Sequence, residues 1–203
     1  MSNECILSLC SKVSPSFPKL DLVFALSANS GDADATFTLM KTTIRKVMND
    51  FRYGGGNIQY GILVYGATAG TTLQLGDSSF KDILDLRKYI KNLPKQASDP
   101  QVDKALQEAL KIFQGPNARL DAKRVLVVLT DKKSTSSPAL IKSSAQLMEE
   151  NKVRVIPVGI GSETDRSELR SITYNKGDVI EAEKEEESWR LARAIIIKIL
   201  TGM

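Results

Sequence analysis

The chain has 203 residues, 42% of them hydrophobic and 26% charged, with a net charge of +4. That length suits one well-buried domain, and no apolar run approaches the roughly 20 residues a membrane-spanning helix needs, so no membrane insertion is expected. There is no histidine, which removes the commonest general base, the usual zinc ligand and any Ser-His-Asp triad together.

Residues 1–18, rich in Ser and Pro ("SKVSPSFPK") and without periodicity, read as a flexible leader, and residues 19–203 as one domain. The leader holds the two cysteines, Cys5 and Cys10. They can bridge each other, pair with cysteines elsewhere, or stay free; their spacing matches no zinc or redox motif. "LDLVFAL" then reads as a buried strand that runs into the polar turn "SANSGDAD". "DATFTLMKTTIRKVMNDF" places Phe37, Met40, Ile44, Val47, Met48 and Phe51 at helical spacing. Three glycines in "RYGGGN" break the chain before the strand "IQYGILVYG", and "TTLQLGD" follows as a short antiparallel edge strand.

"SFKDILDLRKYIKNL" reads as a helix with Phe80, Ile83, Leu84, Leu86 and Ile90 inward, and "PQVDKALQEALKIF" as a third with Pro100 in its first turn. "KRVLVVLTD" has the continuous apolar run of a strand covered on both faces. "SPALIKSSAQLMEEN" is a helix with Ser137 as cap and Pro138 just inside, followed by the strand "KVRVIPVGIG". A short helix in "ETDRSELRSITY", an edge strand in "GDVIEAE" and a closing helix with Trp189 in the core complete the series. This alternation predicts an α/β fold: a doubly wound, mostly parallel six-stranded sheet, one short antiparallel edge strand, and helices on both faces. Ligands of such folds bind beyond the carboxyl ends of the strands, where the strand order reverses. The loops after Leu26, around Ser98 to Val102, and after Thr130 are therefore the candidate site.

Other signals have plainer readings. "GATAGTT" and "RYGGGN" lack the phosphate-loop pattern. Asp103 suits the first turn of a helix. Tyr53, Tyr60 and Tyr65 suit packing at a strand rim better than a contact patch. The scattered Lys and Arg, beside the acidic run "EAEKEEE", supply no concentrated basic face, so no nucleic acid is expected.

The segments "LDLVFALSANSG", "IQYGILVYGATAGTTLQLGD", "LRKYIKNLP", "VDKALQEAL", "AKRVLVVLTDKKS" and "VRVIPVGIG" together resemble a von Willebrand factor type A domain, in order, from about Lys19 to Leu200. The likeness is to the extracellular-matrix branch, the matrilins and collagen VI. It implies a Rossmann-like sheet and a secreted, non-enzymatic module that binds collagen or another matrix protein and can self-associate within a larger protein. The alternatives are an intracellular scaffold domain of the same family and a nucleotide-binding or enzymatic α/β domain. The last would need a phosphate loop or cofactor fingerprint that the chain lacks.

Many members carry a metal-ion-dependent adhesion site, built from Asp-x-Ser-x-Ser after the first strand, a Thr from a second loop and an Asp after the fourth strand. Here Ser27 stands at the Asp position, Asn29 and Gly31 at the two Ser positions, and the Thr position falls near Ser98 or Pro100. Asp131 alone matches, followed by Lys132 where the family often has Gly. The resemblance thus implies a binding face of Ser27, Asn29, Ser30, Gly31, Ser98, Asp99, Asp131 and Lys132, with a vestigial metal site at Ser27, Asn29 and Asp131. Hard cations draw affinity from several carboxylates, and the ammonium groups of Lys132 and Lys133 are expected to compete for Asp131. No cofactor is expected. Weak magnesium or calcium binding stays open, with Asp32 or Asp34 as a replacement ligand; the plainer role of Asp34 is to cap the first helix.

Overall fold

The computed structural model describes residues 18–28, 34–51, 57–80, 82–94, 98–183 and 187–202. Six strands form one sheet: β1 (Leu20–Ser27), β2 (Ile58–Tyr65), β3 (Ala69–Leu73), β4 (Lys123–Thr130), β5 (Val153–Ile160) and β6 (Ile180–Ala182). Their order is β3-β2-β1-β4-β5-β6, and only the β2–β3 pair is antiparallel. The helices are α1 (Asp34–Asp50), α2 (Ile83–Lys91), α3 (Val102–Phe113), α4 (Pro138–Glu150), α5 (Arg166–Ser171) and α6 (Ser188–Thr201). The expected fold class is the one observed. Chain order reverses between β1 and β4, so the crevice predicted for a doubly wound sheet opens above those two strands.

Alternation along β1 explains the two layers. Leu20, Leu22, Phe24 and Leu26 face α1, α2 and α6, whereas Val23 and Ala25 face α3 and α4. Successive strand side chains point to opposite faces, so a strand with helices on both sides must be apolar at nearly every position. All eight residues of β1 are buried. All six apolar positions expected to line α1 are buried too.

Several element details differ from expectation. The second helix begins at Ile83, because Asp82 in extended conformation accepts hydrogen bonds from the backbone N–H groups of Leu84 and Asp85. Leu84 consequently points outward and is 56% exposed, while Leu86 and Ile90 are buried. Pro100 precedes α3 rather than entering its first turn; extended Gln101 is the cap residue. The edge strand starts at Ala69, inside the "GATAG" segment. The helix α1 starts at Asp34 itself, one position past a cap, and the Asp34 side chain lies outside the description. Trp189 is not in the core: it is 48% exposed at the start of α6, donates its indole N–H to Glu187, and has Arg190 5.3 Å above its ring. The buried face of α6 is Leu191, Ala192, Ile195 and Ile199.

Candidate functional site

The parallel register of β1 with β4, Leu26 against Leu129, brings the ends of both strands to the same height. There the Ser27 hydroxyl donates to Asp131 Oδ1 at 2.8 Å, and both residues are buried. Tyr65, fully buried beneath them, directs its hydroxyl to the Leu129 carbonyl at 3.4 Å. Burial pushes its ionisation far above the ordinary phenol range, so it acts as a neutral donor. The Thr130 hydroxyl donates to the Lys132 carbonyl at 2.8 Å and curls the chain just after the strand.

Two further loops are tied to this mouth. Ser98 donates its N–H to the Ala28 carbonyl at 3.2 Å, and its hydroxyl accepts from the Ala67 N–H at 3.0 Å. Gly66 permits that approach, since a Cβ there would overlap the Ser98 hydroxyl. The Thr135 N–H reaches the Pro100 carbonyl at 2.9 Å, and Ser134 Oγ accepts from the Val102 N–H at 3.0 Å while donating to Ser136 Oγ at 2.9 Å. Ser136 in turn donates to Asp103, which is buried in the first turn of α3. The Ser134 N–H bonds Glu168 of α5 at 3.0 Å. Partial burial pushes the Glu168 carboxyl upward against the pull of that N–H.

The two lysines expected to crowd Asp131 turn elsewhere. Lys132 pairs with Asp99 at 2.9 Å and Lys133 with Asp165 at 2.7 Å. Hydrogen bonds from Lys133 and Ser167 hold the Asp165 carboxyl well below the usual range, and the bond to Asp99 raises Lys132. The reason is reach. Asp99 and Asp165 are more exposed partners, whereas Asp131 is 5% exposed and already has a hydroxyl donor.

A sequence profile of the von Willebrand factor type A domain matches residues 21–192. The chain belongs to that family. The A domain is 29% identical over 152 residues to the collagen alpha-1(XXI) chain of Homo sapiens, covering 75% of this chain and 15% of that one. It is 23% identical over 200 residues to the collagen alpha-4(VI) chain of Mus musculus, covering 98% of this chain and 8% of that one. The A domain therefore spans a small fraction of the curated relatives it matches. Among solved structures it is similar to proximal thread matrix protein 1 of the mussel byssus, in a form whose adhesion-site motif is occupied by zinc. The TM-score is 0.75 and the identity 20%, over 93% of this chain and 47% of that one.

Of the residues expected on the A domain's binding face, the structure brings together Ser27 and Asp131 directly, and Ser98, Asp99 and Lys132 on the two flanking loops. Asn29, Ser30, Gly31 and Asp32 lie outside the described residues, as do Cys5, Cys10 and Tyr53. Among the described residues no group of three or more His, Cys, Asp or Glu converges as a metal cage. At this mouth the described donors are one carboxylate and neutral hydroxyls, and the carboxylate is already hydrogen-bonded. Sequence reasoning missed the Ser134–Ser136–Asp103 chain and Glu168. The density of hydroxyl residues in "KKSTSSP" was the available signal.

Proposed function

We propose that this A domain is a non-enzymatic adhesion module of the extracellular matrix that engages collagen or another matrix protein through the loops at the carboxyl ends of β1 and β4, without a bridging cation. The matrix reading rests on the collagen relatives. The cation-free reading rests on the hydrogen bond between Ser27 and Asp131. Two facing carboxylates repel strongly at short range and need a cation or a shared proton between them. A hydroxyl facing one carboxylate requires none: the Ser27 hydroxyl donates to Asp131 Oδ1, and the contact is favourable with no ion between them. With a single carboxylate among the described residues at this contact, affinity for a hard dication is low.

Solid-phase binding to fibrillar collagen and other matrix proteins, with and without chelator, tests this. Binding is expected to persist in chelator. The variant Ser27→Asp restores a carboxylate pair and is expected to gain a cation response that the unaltered chain lacks. At manganese ten times above the variant's Kd, ligand linkage gives about 1.4 kcal/mol, a rise in Tm of roughly 3–6 °C. Chelator-sensitive binding, or an equal manganese shift in the unaltered chain, overturns the cation-free reading. Absence of binding to every matrix protein favours an intracellular scaffold.

A further inference from the structure

The opposite end of the sheet, about 23 Å from Asp131 along β4 by strand rise, holds a second surface feature. A pocket of about 560 Å³ opens at the amino ends of β4 and β5. Four cations line it, Lys123, Arg124, Lys152 and Arg154, against two carboxylates, Asp121 and Glu149. Asp121 is held by Lys19 at 2.5 Å, and Arg154 is forked onto Asp178 at 2.6 Å. Lys123 and Lys152, both exposed, make no side-chain hydrogen bond or ion pair among the described residues. The strand register sets Arg124 against Val153, and Lys123 and Lys152 each directly precede a member of that pair at the pocket's rim.

Three observations set this cluster apart from ordinary surface charge. First, Lys152 is the one non-glycine among the described residues with a left-handed backbone, φ 57°. It directly follows the cap residue Asn151 of α4, at the position where glycine ordinarily ends a helix free of steric cost. Second, Arg154 Nη1 is buried with no acceptor among the described residues, and the end of α6 closes over it at Gly202, where a Cβ would overlap that nitrogen. Third, two exposed apolar side chains flank the cations, with nothing among the described residues covering them: Leu120 is 95% exposed and Tyr174 52%. Cations complementing a helix dipole stand in its last turn. Lys123 lies in a strand, however, and α4 has no basic residue in its last turn.

We propose that this pocket is a docking site for an acidic linear peptide with an apolar residue between its carboxylates. The two exposed lysines meet the carboxylates as point charges, and Leu120 and Tyr174 receive the apolar side chain. The half-buried Arg124, whose Nη1 donates to the Asn151 carbonyl at 3.5 Å, adds to the positive field. A sulfated polysaccharide meets the cations equally well but carries no branched apolar group to cover Leu120, so the peptide is the occupant the surface fits.

The test uses the whole chain and fluorescein-labelled dodecapeptides: Asp/Glu-rich with a central Leu, the same with Gln and Asn for the acids, and the same with Gly for the Leu. A sulfated heparin octasaccharide forms a further arm. The acidic Leu peptide is expected to bind saturably and to weaken at least about fivefold between 50 and 300 mM salt, as screened ion pairs do. The double variant K123E/K152E is expected to weaken it about tenfold or more, and Leu120→Ser about threefold, as loss of charge and of an apolar anchor at a small interface would. Lys152→Gly separates binding from folding. It relieves the left-handed backbone, so Tm is expected to hold or rise while peptide affinity falls. Equal binding of the neutral peptide, unchanged affinity in K123E/K152E, or indifference to Leu120→Ser overturns the proposal. So does an octasaccharide that binds more tightly than the peptide. A salt-sensitive dimer in sedimentation that K123E/K152E abolishes assigns the surface to a second copy instead.

Discussion

Arg119 shows how much one side chain can hold. Its backbone N–H and Nε each bond the Asp21 carboxylate at 2.9 Å, and Nη2 reaches the carbonyls of Leu20 and Asn57 at 2.8 and 2.9 Å. Asp21 has no solvent exposure at all. One guanidinium thus pins the loop before β4 to the start of β1 and the entry to β2. Removing one partner of a buried ion pair leaves the other charge desolvated and unpaired, typically costing about 3–5 kcal/mol. Arg119→Met is expected to lose that much in urea unfolding, and adding Asp21→Asn is expected to recover part of it. A loss below about 1 kcal/mol would mean that water reaches Asp21 and that the site behaves like a surface pair.

At the scale of elements, the sequence is most readable where a single rule decides the outcome. Ser137 and Pro138 start α4 as their chemistry requires, the Ser137 hydroxyl accepting from the Leu140 N–H. The alternating faces of β1 are equally plain. Trp189 was unreadable for a definite reason: "SWRLARAIIIKIL" has apolar residues all round the helix, so periodicity alone does not say which stripe faces the sheet. The lysine pairings were unreadable for another. Asp99 and Asp165 come from segments about thirty residues away from Lys132 and Lys133, and only the folded loops bring them within reach. The missing charge at Ser27, where the resemblance sets the adhesion-site aspartate, was legible, but the bond from Ser27 to Asp131 emerged only from the β1–β4 register. Gly66 tests how tightly the loops are laced. In Gly66→Ala the new methyl meets the Ser98 hydroxyl and the segment leading to α3 must shift, so overpacking is expected to cost about 1–3 kcal/mol. Because the colliding atom is a side-chain oxygen, the double variant with Ser98→Ala is expected to regain much of the loss in thermal unfolding.

For the molecule as a whole, the doubly wound sheet separates two kinds of surface. The carboxyl ends of β1 and β4 carry a hydrogen-bonded mouth centred on Ser27 and Asp131 and framed by ion pairs between loops. The amino ends of β4 and β5 carry cations and bare apolar side chains. Both Lys19 and Gly202 lie at this second end, beside Asp121 and Arg154 respectively. Tension applied between those two residues therefore meets unequal resistance. Extracting β1 means shearing two parallel ladders at once, to β2 and to β4. By contrast, α6 can be peeled away turn by turn from its last residue. An optical-tweezers trace is expected to show an early, low-force lengthening, with a contour of about 50 Å for the 14 residues of the helix, before the sheet itself ruptures. A single rupture with no earlier step would contradict this. On this geometry the domain yields a little slack before it breaks.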